Sequence, residues 1–316
     1  MAKRSGAEGQ GRASRRGALL LVGLWLVGCT PRDFQRREAL WPEGAPGALG
    51  EGQGDRPELF YYLPAQGAAN GAAAIVAPGG SYAHTGGLRP EAFPTARWLA
   101  ERGFVAVVLR YRVSGDGYAH RDFLADGRRA VQRVRAQAGD LGIDPRKIGI
   151  VGFSAGGHLA GFVGTACPVE GDADAADPLE RVSCRPDWIV MVYPVVTLDD
   201  TWAHQRSKRS LLGKEAPTQA LADSLSLEKR ANVTTPPAFL VHSKLDRKVK
   251  YQNSELFHAA LGPLGVPSEL HLYDDGRHGV GLAQRSGMPQ MAGWPAAMLA
   301  WLKTIGVLQA APAAAP

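Results

Sequence analysis

Apolar positions along this chain come in short continuous runs, separated by longer stretches in which they recur every three or four residues. Runs near 58–63, 73–77, 104–110, 147–152, 187–193, 237–242 and 268–273 are rich in Val, Ile, Phe, Tyr and Leu, and read as strands. Stretches near 91–102, 122–138, 155–165, 217–224, 251–264 and 293–305 carry helical periodicity. Strand and helix therefore alternate, which predicts an α/β fold with a mostly parallel central sheet and helices on both faces. The run Phe104-Val105-Ala106-Val107-Val108-Leu109 has no polar face, as a strand covered on both sides requires. Residues 57–307 are long enough for one large domain with a sizeable core. Residues 29–56, rich in proline and glycine, read as a tether and lead-in, with Trp41 as the side chain able to dock on the body. Residues 308–316 are almost wholly alanine and proline and predict a disordered tail. The stretch from about 197 to 235 interrupts the alternation and predicts a cap or substrate wall. No internal repeat is visible.

The first 28 residues change the picture of the whole. Lys3, Arg4, Arg12, Arg15 and Arg16 form a basic stretch, and a mostly apolar segment from Gly17 to Gly28 follows. That segment is too short for an unassisted membrane span and suits an export signal. Leu26-Val27-Gly28-Cys29 resembles the lipobox of bacterial lipoproteins, which implies acylation of Cys29 as the new N-terminus and a membrane partner through that lipid. A simple cleaved signal and an uncleaved anchor are the alternatives. Thr30 resembles the residue found there in lipoproteins bound for an outer membrane, and Ser14-Arg15-Arg16 faintly resembles a twin-arginine signal. The segment holds five basic residues and one acid, Glu8, so it carries four of the chain's six net positive charges. What remains is close to neutral, and the short basic runs at 206–209 and 247–250 read as solvated faces; nucleic acid is not a partner. With Cys29 set aside, Cys167 and Cys184 are an even pair, open to a disulfide in an oxidising compartment or to two free thiols. No grouping has metal-ligand spacing, and the chemistry asks for no cofactor.

That chemistry centres on Gly152-Phe153-Ser154-Ala155-Gly156, where an apolar run ends at a serine flanked by small residues and a helical pattern starts at once. A serine on so sharp a strand-to-helix turn is strained and has its Oγ exposed. Serine is a weak nucleophile until an imidazole takes its proton and a carboxylate orients that imidazole. Asp246 and His278 each sit just past the carboxyl end of a predicted strand, the edge where open α/β sheets place ligands. Pro78-Gly79-Gly80-Ser81-Tyr82 follows another strand, and its Gly80 and Ser81 N–H groups, with that of Ala155, are candidate donors to an oxyanion. Tyr82 is a candidate acyl-pocket wall, and Trp202 in the insertion reads equally as a substrate platform or a core residue. His158, four residues past Ser154, is expected to hydrogen-bond behind the nucleophile. His242 is expected to be buried and hydrogen-bonded, and His84, His120, His204, His258 and His271 to be surface or packing residues.

These stretches resemble an α/β-hydrolase of the esterase and acetyl-esterase type, close to bacterial acetyl xylan esterase-like proteins. Leu40-Trp41-Pro42, Tyr111-Arg112-Val113, Asp144-Pro145-Arg146-Lys147-Ile148, Pro236-Pro237 and His278-Gly279-Val280-Gly281-Leu282 match as well, so the resemblance spans about residues 38 to 306. Ser243 and Lys250 depart from it where the family often has glycine and proline. The resemblance implies a serine esterase acting on short acyl groups, acetyl above all, carried by a carbohydrate or similar alcohol. A prolyl-oligopeptidase-type peptidase and a surface-tethered, non-catalytic binding protein remain the rivals.

Overall fold

A computed structural model of the chain describes residues 34–213, 218–284 and 287–309. The segment read as an export signal, Cys29 and the tail from residue 310 lie outside the described residues. Eight strands form one sheet: β1 (Arg36–Ala39), β2 (Glu58–Tyr62), β3 (Ala73–Ala77), β4 (Val105–Arg110), β5 (Ile148–Phe153), β6 (Trp188–Val192), β7 (Ala238–Ser243) and β8 (Ser268–Tyr273). Their order is β1-β2-β4-β3-β5-β6-β7-β8. β1 and β2 run antiparallel to their neighbours, and the strands from β4 to β8 are parallel to one another. The fold is therefore that of an α/β-hydrolase, mostly parallel and covered on both faces.

The pleat sorts successive residues to two cores. Leu59, Tyr61, Ile75, Val107, Ile150 and Leu240 join one apolar cluster, and Phe60, Val76, Val108, Val151, Val190 and Val241 join the other. Helices α2 (His120–Ala136), α4 (Ala155–Ala166) and α8 (Gln252–Leu261) supply Phe123, Leu159 and Phe257 to the first. Helices α1 (Phe93–Ala100) and α9 (Trp294–Thr304) supply Leu99 and Met298 to the second. A short helix α3 (Ala138–Leu141) follows α2. The 197–235 insertion carries α5 (Gln205–Leu212), α6 (Gln219–Leu225) and α7 (Leu227–Arg230).

The segment before residue 57 differs from its reading as a tether. Its residues 36–39 are strand β1, paired with β2 in the register Arg36 to Tyr61. Beyond it, Trp41 donates its indole N–H to Asp126 Oδ1 at 2.8 Å, and the Arg129 guanidinium covers the same ring. Asp126 also binds Arg112 through Nε at 2.9 Å and Nη2 at 2.8 Å, and Arg112 Nη1 donates to the Pro46 carbonyl. The lead-in is thus fastened to the domain by a buried, hydrogen-bonded ion pair. Cys167 and Cys184 are joined as a disulfide with Cα atoms 5.5 Å apart, closing the excursion between α4 and β6.

Candidate active site

Ser154 stands between β5 and α4 with φ 53° and ψ −114°, a left-handed conformation that a residue with a side chain rarely holds. Its neighbours explain how. A Cβ on Gly152 would lie 2.1 Å from the Gly156 carbonyl oxygen, and one on Gly156 would lie 2.2 Å from that of Ala77. Only glycine lets the two arms of the turn and the end of β3 come so close. The Ser154 N–H donates to Val192, and its carbonyl accepts from His158 and Val195, so β6 and α4 both hold the turn.

Past the carboxyl end of β7, Asp246 accepts backbone N–H groups from Lys248 (2.8 Å) and Val249 (3.1 Å) on Oδ1. Its Oδ2 takes the His278 Nδ1–H at 2.7 Å. His278 Nε2 lies 2.9 Å from Ser154 Oγ. Because a carboxylate can only accept, Nδ1 carries the proton and the Nε2 lone pair faces the serine hydroxyl. Burial works to raise the Asp246 carboxyl, but the contacts from His242 and His278 outweigh it and hold the group below the usual carboxylate range. Ser154, Asp246 and His278 are thus brought into one hydrogen-bonded chain.

The loop after β3 lies against the elbow: a Cβ on Gly79 would be 3.1 Å from Ser154 Cβ. Gly80 has φ 143°, and a Cβ there would fall 1.8 Å from the His84 carbonyl oxygen. The Gly80 and Ser81 N–H groups make no hydrogen bond among the described residues, and Ala155 opens α4 with its N–H unclaimed by the helix. Tyr111 donates its hydroxyl to the Pro78 carbonyl at 2.7 Å, fixing the start of the loop.

Tyr82 corrects an expectation. It is fully buried, stacked 4.5 Å from Phe123, with its hydroxyl 2.9 Å from His158 Nδ1, and so cannot be an exposed acyl-pocket wall. Consecutive left-handed residues at Ser81 and Tyr82, each with φ 58°, turn the side chain into the core. His158 in turn donates Nε2–H to the Leu225 carbonyl at 2.8 Å, which ties the insertion to α4. Burial lowers its pKa to about 4, so it is a neutral strut behind the nucleophile. His242 is buried between Ser254 Oγ and the Val249 carbonyl, with Nε2 3.5 Å from Asp246 Oδ2. Trp202 is half-buried, and its carbonyl accepts from Asn253.

His204 and Glu91 were not singled out in the sequence as site residues. His204 bonds Ser207 Oγ through Nδ1, and burial, then the charge of nearby His278, lowers its pKa to about 4. Glu91 is buried beside the loop, where Oε2 accepts the Gly79 N–H at 2.8 Å and Oε1 accepts the Tyr193 hydroxyl at 2.9 Å. Burial raises its pKa.

Comparison with known proteins agrees with the fold. The BD-FAE family model matches residues 59–261. A solved structure of an acetyl ester-xyloside bifunctional hydrolase from Caldicellulosiruptor lactoaceticus superposes with TM-score 0.78 and 40% identity, covering 86% of this chain and 97% of that one. Among curated relatives, endo-1,4-β-xylanase B of Butyrivibrio fibrisolvens is 32% identical over 82% of this chain and 40% of its own. The acetylxylan esterase of Xylanibacter ruminicola is 29% identical over 72% of this chain and 44% of its own. The chain spans less than half the length of these two curated relatives.

Proposed function

The chain belongs to the BD-FAE family of α/β-hydrolases, and on that premise we propose that it is a serine carboxylic-ester hydrolase. The observation that carries this reading is the Asp246–His278–Ser154 hydrogen-bonded chain at the elbow. Ser154 Oγ attacks the ester carbonyl as His278 Nε2 takes its proton, and Asp246 stabilises the imidazolium that forms. The negative oxygen of the tetrahedral intermediate is held by the N–H groups of Gly80, Ser81 and Ala155. Collapse breaks the bond to the alcohol, which leaves with the proton from His278, and an acyl-serine remains. Water then attacks that acyl group, His278 removes and returns the proton, and the free acid departs.

For the substrate, we propose a short acyl ester, acetyl above all, on a carbohydrate alcohol. Support comes from relatives named for acetylxylan and acetyl ester-xyloside hydrolysis, the second of which this chain matches over nearly its whole length. We further propose that the protein acts outside the cytoplasm, anchored by a lipid on Cys29; the disulfide between Cys167 and Cys184 suits an oxidising compartment. Hydrolysis of p-nitrophenyl esters from acetate to octanoate, beside acetylated xylo-oligosaccharides, tests the substrate class. Rates should be greatest on acetate and acetate should be released from the oligosaccharides. A maximum at octanoate with intact oligosaccharides would contradict the assignment.

A further inference from the structure

Glu91 is a buried acid for which the reaction as written has no use. It lies on a π-helical turn, Leu88–Ala92, just before α1. No lysine or arginine pairs with it among the described residues; its carboxylate is met by a backbone N–H and a phenol. Burying a carboxylate on such terms is unfavourable unless the arrangement does something else.

What those two hydrogen bonds connect is specific. The Gly79 N–H on Oε2 belongs to the residue immediately before Gly80 and Ser81, the proposed oxyanion donors. The Tyr193 hydroxyl on Oε1 also accepts the N–H of Gly281 at 2.9 Å, three residues past His278. The Tyr193 ring packs against the His278 imidazole with centroids 4.8 Å apart. Tyr193 is itself in a left-handed conformation, φ 41°, just beyond β6, and its N–H is bound to Val241. One continuous path, Gly79 N–H to Glu91 to Tyr193 to Gly281 N–H, therefore joins the oxyanion loop to the loop of the base.

The space around this path is closed to anything larger. A Cβ on Gly87 would lie 2.3 Å from Glu91 Oε2 and 2.6 Å from the Gly79 nitrogen, and one on Gly281 would lie 2.6 Å from the Pro90 carbonyl oxygen. Burial raises the Glu91 carboxyl, and its bonds to Gly79 and Tyr193, then the charge of His278, work against that rise.

We propose that Glu91 and Tyr193 are positioning residues that clamp the oxyanion loop and the His278 loop in mutual register, so that donor and base reach one ester together. The proposal rests on the serine-hydrolase reading above. Glu91 and Tyr193 touch no reacting atom; they act through Gly79, Gly281 and the His278 ring.

The test is steady-state kinetics on p-nitrophenyl acetate for Tyr193→Phe, Glu91→Gln, Glu91→Ala and Ser154→Ala, with thermal unfolding and active-serine titration on each. Tyr193→Phe keeps the ring and removes the hydroxyl, and with it both the bond to Glu91 and the link to Gly281. It should lower kcat about 10- to 100-fold, the scale of a small misplacement of reacting groups, with KM within about twofold and a full complement of folded protein. Glu91→Gln retains an acceptor for the Gly79 N–H and should recover part of what Glu91→Ala loses. If Glu91→Ala does not fold, Tyr193→Phe and Glu91→Gln decide. A kcat for Tyr193→Phe within twofold of the parent, or losses that only track the folded fraction, would overturn the clamp alone. Turnover surviving in Ser154→Ala would overturn the serine reading and the clamp with it.

Discussion

Five residues other than glycine hold positive φ among the described residues: Ser81, Tyr82, Ser154, Tyr193 and Ala283. Four of them adjoin the proposed oxyanion donors, the nucleophile or the base, and Ala283 follows His278 by five positions. Each conformation costs on the order of 1–3 kcal/mol and persists only where surrounding contacts impose it. At Asp246 the surroundings act on charge. Its carboxyl is held below the ordinary range, so the stability it contributes is complete above about pH 4 and is lost as pH falls through the lowered value. Asp246→Asn should therefore flatten the acid limb of a plot of Tm against pH. The same substitution lets an amide donate to Nδ1, which favours the tautomer with a proton on Nε2, where a lone pair is needed. We expect kcat to fall about 10⁴-fold with little change in KM, measured on p-nitrophenyl acetate.

At the scale of elements, the loops at the carboxyl edge of the sheet are fastened to one another rather than left to the strands alone. Gly80→Ala tests this: its Cβ would collide with the His84 carbonyl, and the loop must move. The expected loss is about 10²- to 10³-fold in kcat, as for removal of an oxyanion donor, with the protein still folded by circular dichroism. Most strands were legible as continuous apolar runs, as in β3, or as alternating ones, as in Ser268-Glu269-Leu270-His271-Leu272-Tyr273 of β8; both fall on the predicted residues. Strand β1 was not legible, since Arg36-Arg37-Glu38-Ala39 is short, charged and at the sheet edge, with exposure alternating along it. The Ser154, Asp246 and His278 positions were legible from local signals, a tight turn and two strand ends. Glu91 carries no such signal: its partners lie 12 and 102 positions away, and no periodicity points inward. Tyr82 misled because nearness in sequence to a loop says nothing of which way a left-handed backbone turns the side chain.

For the whole molecule, a single sheet with two apolar cores gathers residues separated by 124 positions, Ser154 and His278, onto one edge. The N-terminal lead-in is part of that body from residue 36 onward. Cys29→Ser should move the protein from the membrane fraction to the soluble one; retention with unchanged mobility would count against lipidation. The central claim, that Ser154 is an activated nucleophile, is tested most directly by a fluorophosphonate probe with peptide mapping of the adduct. The expected result is one stoichiometric adduct on Ser154, absent in Ser154→Ala, together with a loss of ester turnover on the order of 10⁶-fold. An unlabelled Ser154, or a variant that keeps most of its turnover, would contradict it.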